Sequence, residues 1–282
     1  MTDHTADETP LTRDGPKGVV TTDPVISGPH PEKPLSGGRV LTWRHPVVVR
    51  ITHWLNVAAV VVLIMSGLNI LMAHAHLYWG VRSTFADPWV SIGRVPDWLM
   101  IPQGRNLAEA RRWHFAFAWI FVLNGLGYLA FALLSGRFKR RLWPTIPDLR
   151  GFWPSVVEHA KLHFPKDDEA RVYNVIQKLT YVLMVLVVLP LMLVTGLSMS
   201  PGFNAIGGVL LDIMGGRQTA RTLHFLSASA IVIFIVIHVG LVIWTGLFNN
   251  MRAMITGWFV IEPARAQVAQ SAVAPKKPEV EK

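Results

Sequence analysis

Four of the eleven histidines in this 282-residue chain lie in or at the mouth of its longest apolar stretches: His53, His114, His224 and His238. An ionisable ring inside hydrocarbon is costly, so each is a functional candidate. His224 and His238 share one stretch, 14 residues apart. A helix turning about 100° per residue carries the second ring to within about 40° of four full turns, so both leave the same face. At a rise of 1.5 Å per residue they stand about 21 Å apart along the axis. Neutral imidazole is a ligand for iron, and a b-type haem takes one from each of two opposing helices. Two stacked sites on one helix therefore require two further imidazoles. His114 opens the second apolar stretch at the end where the fourth begins with His224, and His53 opens the first at the end toward which His238 lies. The expected pairs are His114 with His224 and His53 with His238, holding two haem b groups by their iron. His53 and His238 align only if the fourth span tilts or projects beyond the membrane, because the next charge after His238 is Arg252.

The elements that position these rings are spans. Trp54 to Ala73, Trp113 to Ser135, Leu179 to Ser200 and Thr222 to Phe248 contain no Asp, Glu, Lys or Arg. Each reaches the roughly 20 residues a helix needs to cross about 30 Å of hydrocarbon, and such unbroken runs lack the alternation of a barrel strand. The chain is 51% hydrophobic and 16% charged, well below the roughly 25% charge of a soluble domain. The expected fold is an all-α integral membrane protein, a four-transmembrane-helix bundle with spans near 51–73, 113–135, 176–198 and 222–248. The bundle occupies 39–260, between polar disordered tails at 1–38 and 261–282. The third span carries no histidine, so four ligands on three helices make two haem sites with none left over. The other seven histidines (His4, His30, His45, His74, His76, His159 and His163) read as solvated or interfacial.

Charge sets the orientation. Six Lys/Arg precede the first span, nine lie between the second and third through Lys178, and five follow the fourth, 20 in all against seven in the two opposite loops. The positive-inside bias puts both termini in the cytoplasm of a bacterial inner-membrane protein. The net charge of +9 flanks apolar spans and faces anionic lipid rather than nucleic acid. There is no cysteine, which excludes disulfides, Cys-ligated iron–sulfur clusters and covalent c-type haem within the chain. The exterior segment from His74 to Arg112 carries Tyr78, Trp79, Phe85, Trp89 and Trp98, and reads either as an interfacial aromatic belt or as a docking surface.

Smaller features fit two haem layers. Gly67 lies 14 residues after His53, on the same helix face one layer outward, where a side chain would meet the exterior macrocycle; close helix packing is the other reading of that glycine. Arg112, Arg217 and Arg221 flank the exterior ligands, and Arg44 and Arg50 flank the interior one. Arginine suits haem propionates, although flanking charge alone explains any single one of them.

His53-Trp54, Trp113-His114-Phe115 and the 14-residue spacing on the last span resemble the bacterial cytochrome b subunits of nickel–iron hydrogenase, formate dehydrogenase and thiosulfate reductase, over about residues 43 to 258. The segments Tyr173 to Tyr181, Thr195 to Pro201 and Gly215 to Phe225 are most similar to the branch associated with periplasmic molybdopterin oxidoreductases. The resemblance implies a di-haem electron-transfer subunit, not the catalytic one, that exchanges electrons between membrane quinone and a peripheral periplasmic oxidoreductase. It also implies a quinone site near the start of the third span, where Asn174 and Gln177 are candidate donors to a quinone carbonyl; helix capping and interfacial polarity are the plainer roles for both. The longer exterior loop departs from the formate dehydrogenase pattern. Two other readings stand beside this one: a lone di-haem cytochrome reacting with a small oxidant such as superoxide, and a transporter using the histidines as a proton relay.

Overall fold

A computed structural model describes residues 31–36, 39–139, 143–160, 175–204 and 208–261. Four helices in it are long and apolar enough to cross a membrane: α1 (Val47–Met72), α2 (Leu107–Leu134), a third at Val175–Met199, and α9 (Arg217–Trp244). The third is made of α5 (Val175–Leu183), a π-helical turn (Met184–Val188) and α6 (Leu189–Met199); short helices α3 (Ile146–Arg150) and α4 (Phe152–Ala160) precede it, and α7 (Pro201–Asn204) and α8 (Val209–Ile213) follow it. Pro190 follows the π-helical turn. It has no N–H to donate and its ring displaces a carbonyl one turn back, which the wider turn accommodates. Helix α1 packs along α2, and α6 along α9. Trp119, Leu123, Ile233, Val236 and Trp244 point outward, as lipid-facing side chains do.

Helices α1 and α9 begin four and five residues before the expected spans, and two further ends differ for a clear local reason. Helix α2 begins six residues before Trp113, because Asn106 accepts from the backbone N–H of Glu109 at 3.1 Å and so caps a charged first turn. Helix α9 stops at Trp244 rather than Phe248. Gly246 follows at φ +112°, a conformation L side chains rarely adopt, and the chain turns into a separate amphipathic helix, α10 (Leu247–Thr256). That break removes the misalignment expected for His238, which lies six residues from the end of its span as His53 lies six from the start of α1.

The two ends of the bundle carry short strands that hydrophobic runs do not foretell. At one end β2 (Val40–Trp43) pairs antiparallel with β1 (Glu32–Pro34) on one side and β5 (Trp258–Ile261) on the other. Trp43 opposes Trp258, their rings edge to face at 5.2 Å. The tail expected through residue 38 is corrected at its last residues, since Glu32–Pro34 is a strand held by its ladder, and β5 runs one residue past the expected boundary at 260. Both segments lie at one end of the bundle, here the sheet end; residues 1–30 and 262–282, the greater part of the expected tails, lie outside the described residues.

At the opposite, loop end, residues 74–106 form a folded cap. A short hairpin pairs β3 (His76–Leu77) with β4 (Val90–Ser91). Leu77 and Met100 are fully buried with Leu71 and Met72 of α1, and Phe225 of α9 packs on them. Asn69 donates to the carbonyls of Pro102 and Gly104 at 2.9 Å each, and Thr222 donates to the Tyr78 carbonyl at 2.7 Å. The Gly80 carbonyl accepts from the Gln218 and Thr219 amides, satisfying the open first turn of α9. Gly216 is required there: a Cβ would sit 2.7 Å from the Gly80 oxygen.

Candidate functional site

The four span histidines meet in two pairs. The rings of His114 (α2) and His224 (α9) have centroids 6.3 Å apart near the loop end. Those of His53 (α1) and His238 (α9) are 6.4 Å apart near the sheet end. Each histidine lies six or seven residues inside its helix, so roughly 10 Å of helix separates it from the end. Two imidazole nitrogens about 2 Å on either side of a shared metal ion put their ring centroids about 6 Å apart. Both pairs have that spacing. The rings are inclined at 63° and 56°, so they do not stack on each other. Among the described residues no cluster of three or more His, Cys, Asp or Glu could hold a bare metal ion. Two-histidine sites instead suit an iron whose other four ligands come with it, as in a porphyrin.

At the loop end each ring is held by a hydroxyl from the neighbouring helix. Ser66 Oγ of α1 lies 3.0 Å from His114 Nδ1, and Thr195 Oγ1 of α6 lies 3.0 Å from His224 Nδ1. Each hydroxyl has one proton and directs it to a carbonyl of its own helix, Val62 or Leu191, at 2.7 Å. It therefore accepts from the ring. Nδ1 is thus the protonated nitrogen and Nε2 keeps its lone pair for a metal, the arrangement in which an outer partner orients a ligating histidine. Ser66 and Thr195 are wholly buried, so no water competes.

A glycine follows each hydroxyl residue and gives the ring its room. A Cβ on Gly67 would stand 3.3 Å from His114 Cε1, and one on Gly196 would stand 3.2 Å from His224 Cε1. The nearest neighbour a side chain at Gly67 would meet is the imidazole of His114. Sequence reasoning missed Ser66, Thr195 and Gly196. The signal was the matching triplets Ser66-Gly67-Leu68 and Thr195-Gly196-Leu197.

The sheet-end pair is set differently. His53 Nδ1 is buried with no hydrogen-bond partner among the described residues. Its ring stands edge-on to Trp54 at 5.3 Å, while His238 stacks on Phe234 at 5.8 Å and 15°. Nearby, Asn124 of α2 donates to the Thr52 carbonyl at 2.8 Å and to Asn56 Oδ1 at 2.7 Å, tying α2 to α1 within the span.

The five candidate propionate arginines all have protein partners. Arg221 donates to the carbonyls of His74 and His76, and Arg217 to the Met199 carbonyl at 3.2 Å. Arg112 pairs with Glu109 at 2.6 Å. Arg50 donates to the Ile255 carbonyl, and Arg44 lies over the Phe259 ring at 4.5 Å. These contacts tie the cap, helix ends and sheet together. Of the two candidate quinone donors, Gln177 lies in the first turn of α5 and Asn174 lies outside the described residues. His74 and His76 line an open cleft with Arg94 and Arg105 at the loop end. Burial, then Arg221 and His76, hold His74 below its ordinary 6.5, so it is neutral at pH 7.

The chain is 31% identical over 198 residues to a putative protein-methionine-sulfoxide reductase subunit YedZ1 of Azospira oryzae, covering 70% of this chain and 89% of that protein. It is 22% identical over 208 residues to a probable Ni/Fe-hydrogenase B-type cytochrome subunit of Cupriavidus necator, covering 70% and 77%. The family described as prokaryotic cytochrome b561 matches residues 44–257, a range that takes in all four spans and all four paired histidines. On that match the chain belongs to the prokaryotic cytochrome b561 family, multi-pass bacterial membrane proteins that bind haem b and carry electrons.

Proposed function

We propose that the chain is the di-haem b subunit of a membrane oxidoreductase, passing electrons between membrane quinone and a peripheral partner at the loop end. The observation that carries this reading is the presence of two histidine pairs at one spacing, 6.3 and 6.4 Å between ring centroids, at two depths of one bundle. A haem in each pair would supply a one-electron iron couple. The chain's own residues fix where those couples sit: α9 is a single helix, and 14 residues of it separate His224 from His238 by about 21 Å.

Both relatives are named as subunits, which favours a partner protein over a lone cytochrome. The loop end also offers a surface for one, with Trp79, Phe85, Trp89 and Trp98 exposed beside Arg82, Arg94 and Arg105. Aromatic and arginine side chains are the residues that protein interfaces favour. With positive charge concentrated on the sheet end and its flanking loop, the termini are assigned to the cytoplasm and the cap to the periplasm. The partner is then a periplasmic oxidoreductase, and the resemblance noted above favours a molybdopterin enzyme.

The test is direct. Pyridine-haemochrome analysis of the purified chain should give two protoporphyrin haems, and a quinol analogue should reduce both in membranes. Purification through a tagged chain should bring a second, redox-active polypeptide. One haem per chain, or none, would defeat the di-haem reading. Full haem with no reduction by quinol would remove the quinone from it.

A further inference from the structure

The two ligand pairs are not equivalent, and the difference lies in groups that touch no iron. Both rings of the loop-end pair give their Nδ1 proton to a buried hydroxyl at 3.0 Å, whereas His53 at the sheet end has a buried Nδ1 with no acceptor among the described residues. The two hydroxyls occupy matching places. Each is the first residue of a small-Gly-Leu triplet, each sits on a helix packed along the ligand's own, and each passes its proton to the carbonyl four residues back at 2.7 Å. A hydroxyl that is already donating is a stronger acceptor, because the bonds polarise one another. Drawing on Nδ1–H makes Nε2 more basic, and a more basic axial ligand favours ferric over ferrous iron.

We infer that Ser66 and Thr195 are positioning residues that hold His114 and His224 in the iron-binding tautomer and lower the midpoint potential of the loop-end haem relative to its value without them. The inference rests on the di-haem reading above. It makes the two haems separately tunable: the hydroxyls act on one couple and leave the other alone. Gly67 and Gly196 complete the device, since a Cβ at either position would press on the ring at 3.2–3.3 Å and displace it from its hydroxyl.

The experiment is a redox titration of the purified, haem-loaded chain, following the α-band, with the wild type, Ser66→Ala, Thr195→Val and Thr195→Ser. Valine keeps the branched shape of threonine and removes only the hydroxyl, while serine restores the hydroxyl and removes a methyl. The loop-end midpoint is identified as the one missing from His224→Ala. In Thr195→Val and Ser66→Ala that midpoint should rise, by about 60 mV for a tenfold change in the ferric-to-ferrous preference of a one-electron couple. The sheet-end midpoint should stay where it is, and Thr195→Ser should return the loop-end midpoint to wild type. The low-spin ferric resonance of the same haem should shift in Thr195→Val and recover in Thr195→Ser. Loss of one haem in Thr195→Val with its return in Thr195→Ser supports the same role, since a ring in the other tautomer presents an N–H where iron needs a lone pair. Two haems with unchanged midpoints in both hydroxyl-free variants would overturn the proposal, as would haem loss that serine fails to restore. A wild-type chain without two haems would instead defeat the reading on which the proposal rests.

Discussion

His224 and His238 are interior residues of one helix, so replacing either leaves the helix intact and, on the proposed di-haem reading, removes one ligand pair. His224→Ala and His238→Ala should each bring two haems per chain down to one, with the surviving α-band different in the two variants. Pyridine-haemochrome analysis against protein mass checks this, and retention of two haems in either variant would contradict the pairing. Glycine 196 makes a sharper test of geometry. Gly196→Val puts branched carbon where even a single Cβ would stand 3.2 Å from the His224 ring. Overpacking of that kind costs about 1–3 kcal/mol, here concentrated on the ligand. The loop-end haem should then be lost or held weakly, while the helical circular dichroism remains.

The elements around the site have their own weak points. The cap is fastened to α9 by Arg221, which donates to the His74 and His76 carbonyls, and by Thr222. His74 is held below 6.5 by burial, then by the neighbouring Arg221 and His76. An unfolded cap would take up a proton at 6.5 and the folded cap resists it, so the cap is at full stability above about 6.5 and loses it as pH falls. Hydrogen exchange over residues 74–106, corrected for intrinsic rate, should be faster at pH 5.5 than at pH 7.5, and His74→Gln should flatten the difference. A pH-independent profile in the wild type would rule this out. Between α1 and α2, Asn124→Leu removes two hydrogen bonds inside the span. Bonds of this kind contribute about 0.6–2 kcal/mol each. The thermal midpoint should fall by a few degrees, measured with the haem content unchanged.

For the whole molecule the governing feature is the contrast between its two ends. One is tied by a three-stranded sheet and α10; the other is a folded cap with exposed aromatic and basic side chains. If the partner docks on the cap, Arg82→Glu with Arg94→Glu and Arg105→Glu should weaken co-purification and leave haem content untouched. Raising salt should weaken the wild-type complex in the same direction, because exposed charges are screened within about 10 Å at 0.1 M. Equal recovery of the second polypeptide by the triple variant would place the interface elsewhere.

Spans and ring pairing were legible in the residues because a bilayer crossing and a helix face impose coarse, periodic demands: about 20 apolar residues per crossing, and imidazoles recurring on one helix face. The four helices and the two ring pairs follow from that alone. The tertiary structure decided what those periods do not encode. Gly246 ends α9 early because its φ of +112° is a local conformation, not a composition. Glu32–Pro34 is a strand only because β2 lies beside it. Ser66 and Thr195 look like ordinary small polar residues of an apolar helix until the rings of other helices arrive at 3.0 Å. Hydrogen bonds between helices depend on which atoms meet, and one chain of letters carries no record of a meeting between residues 48 or 29 positions apart.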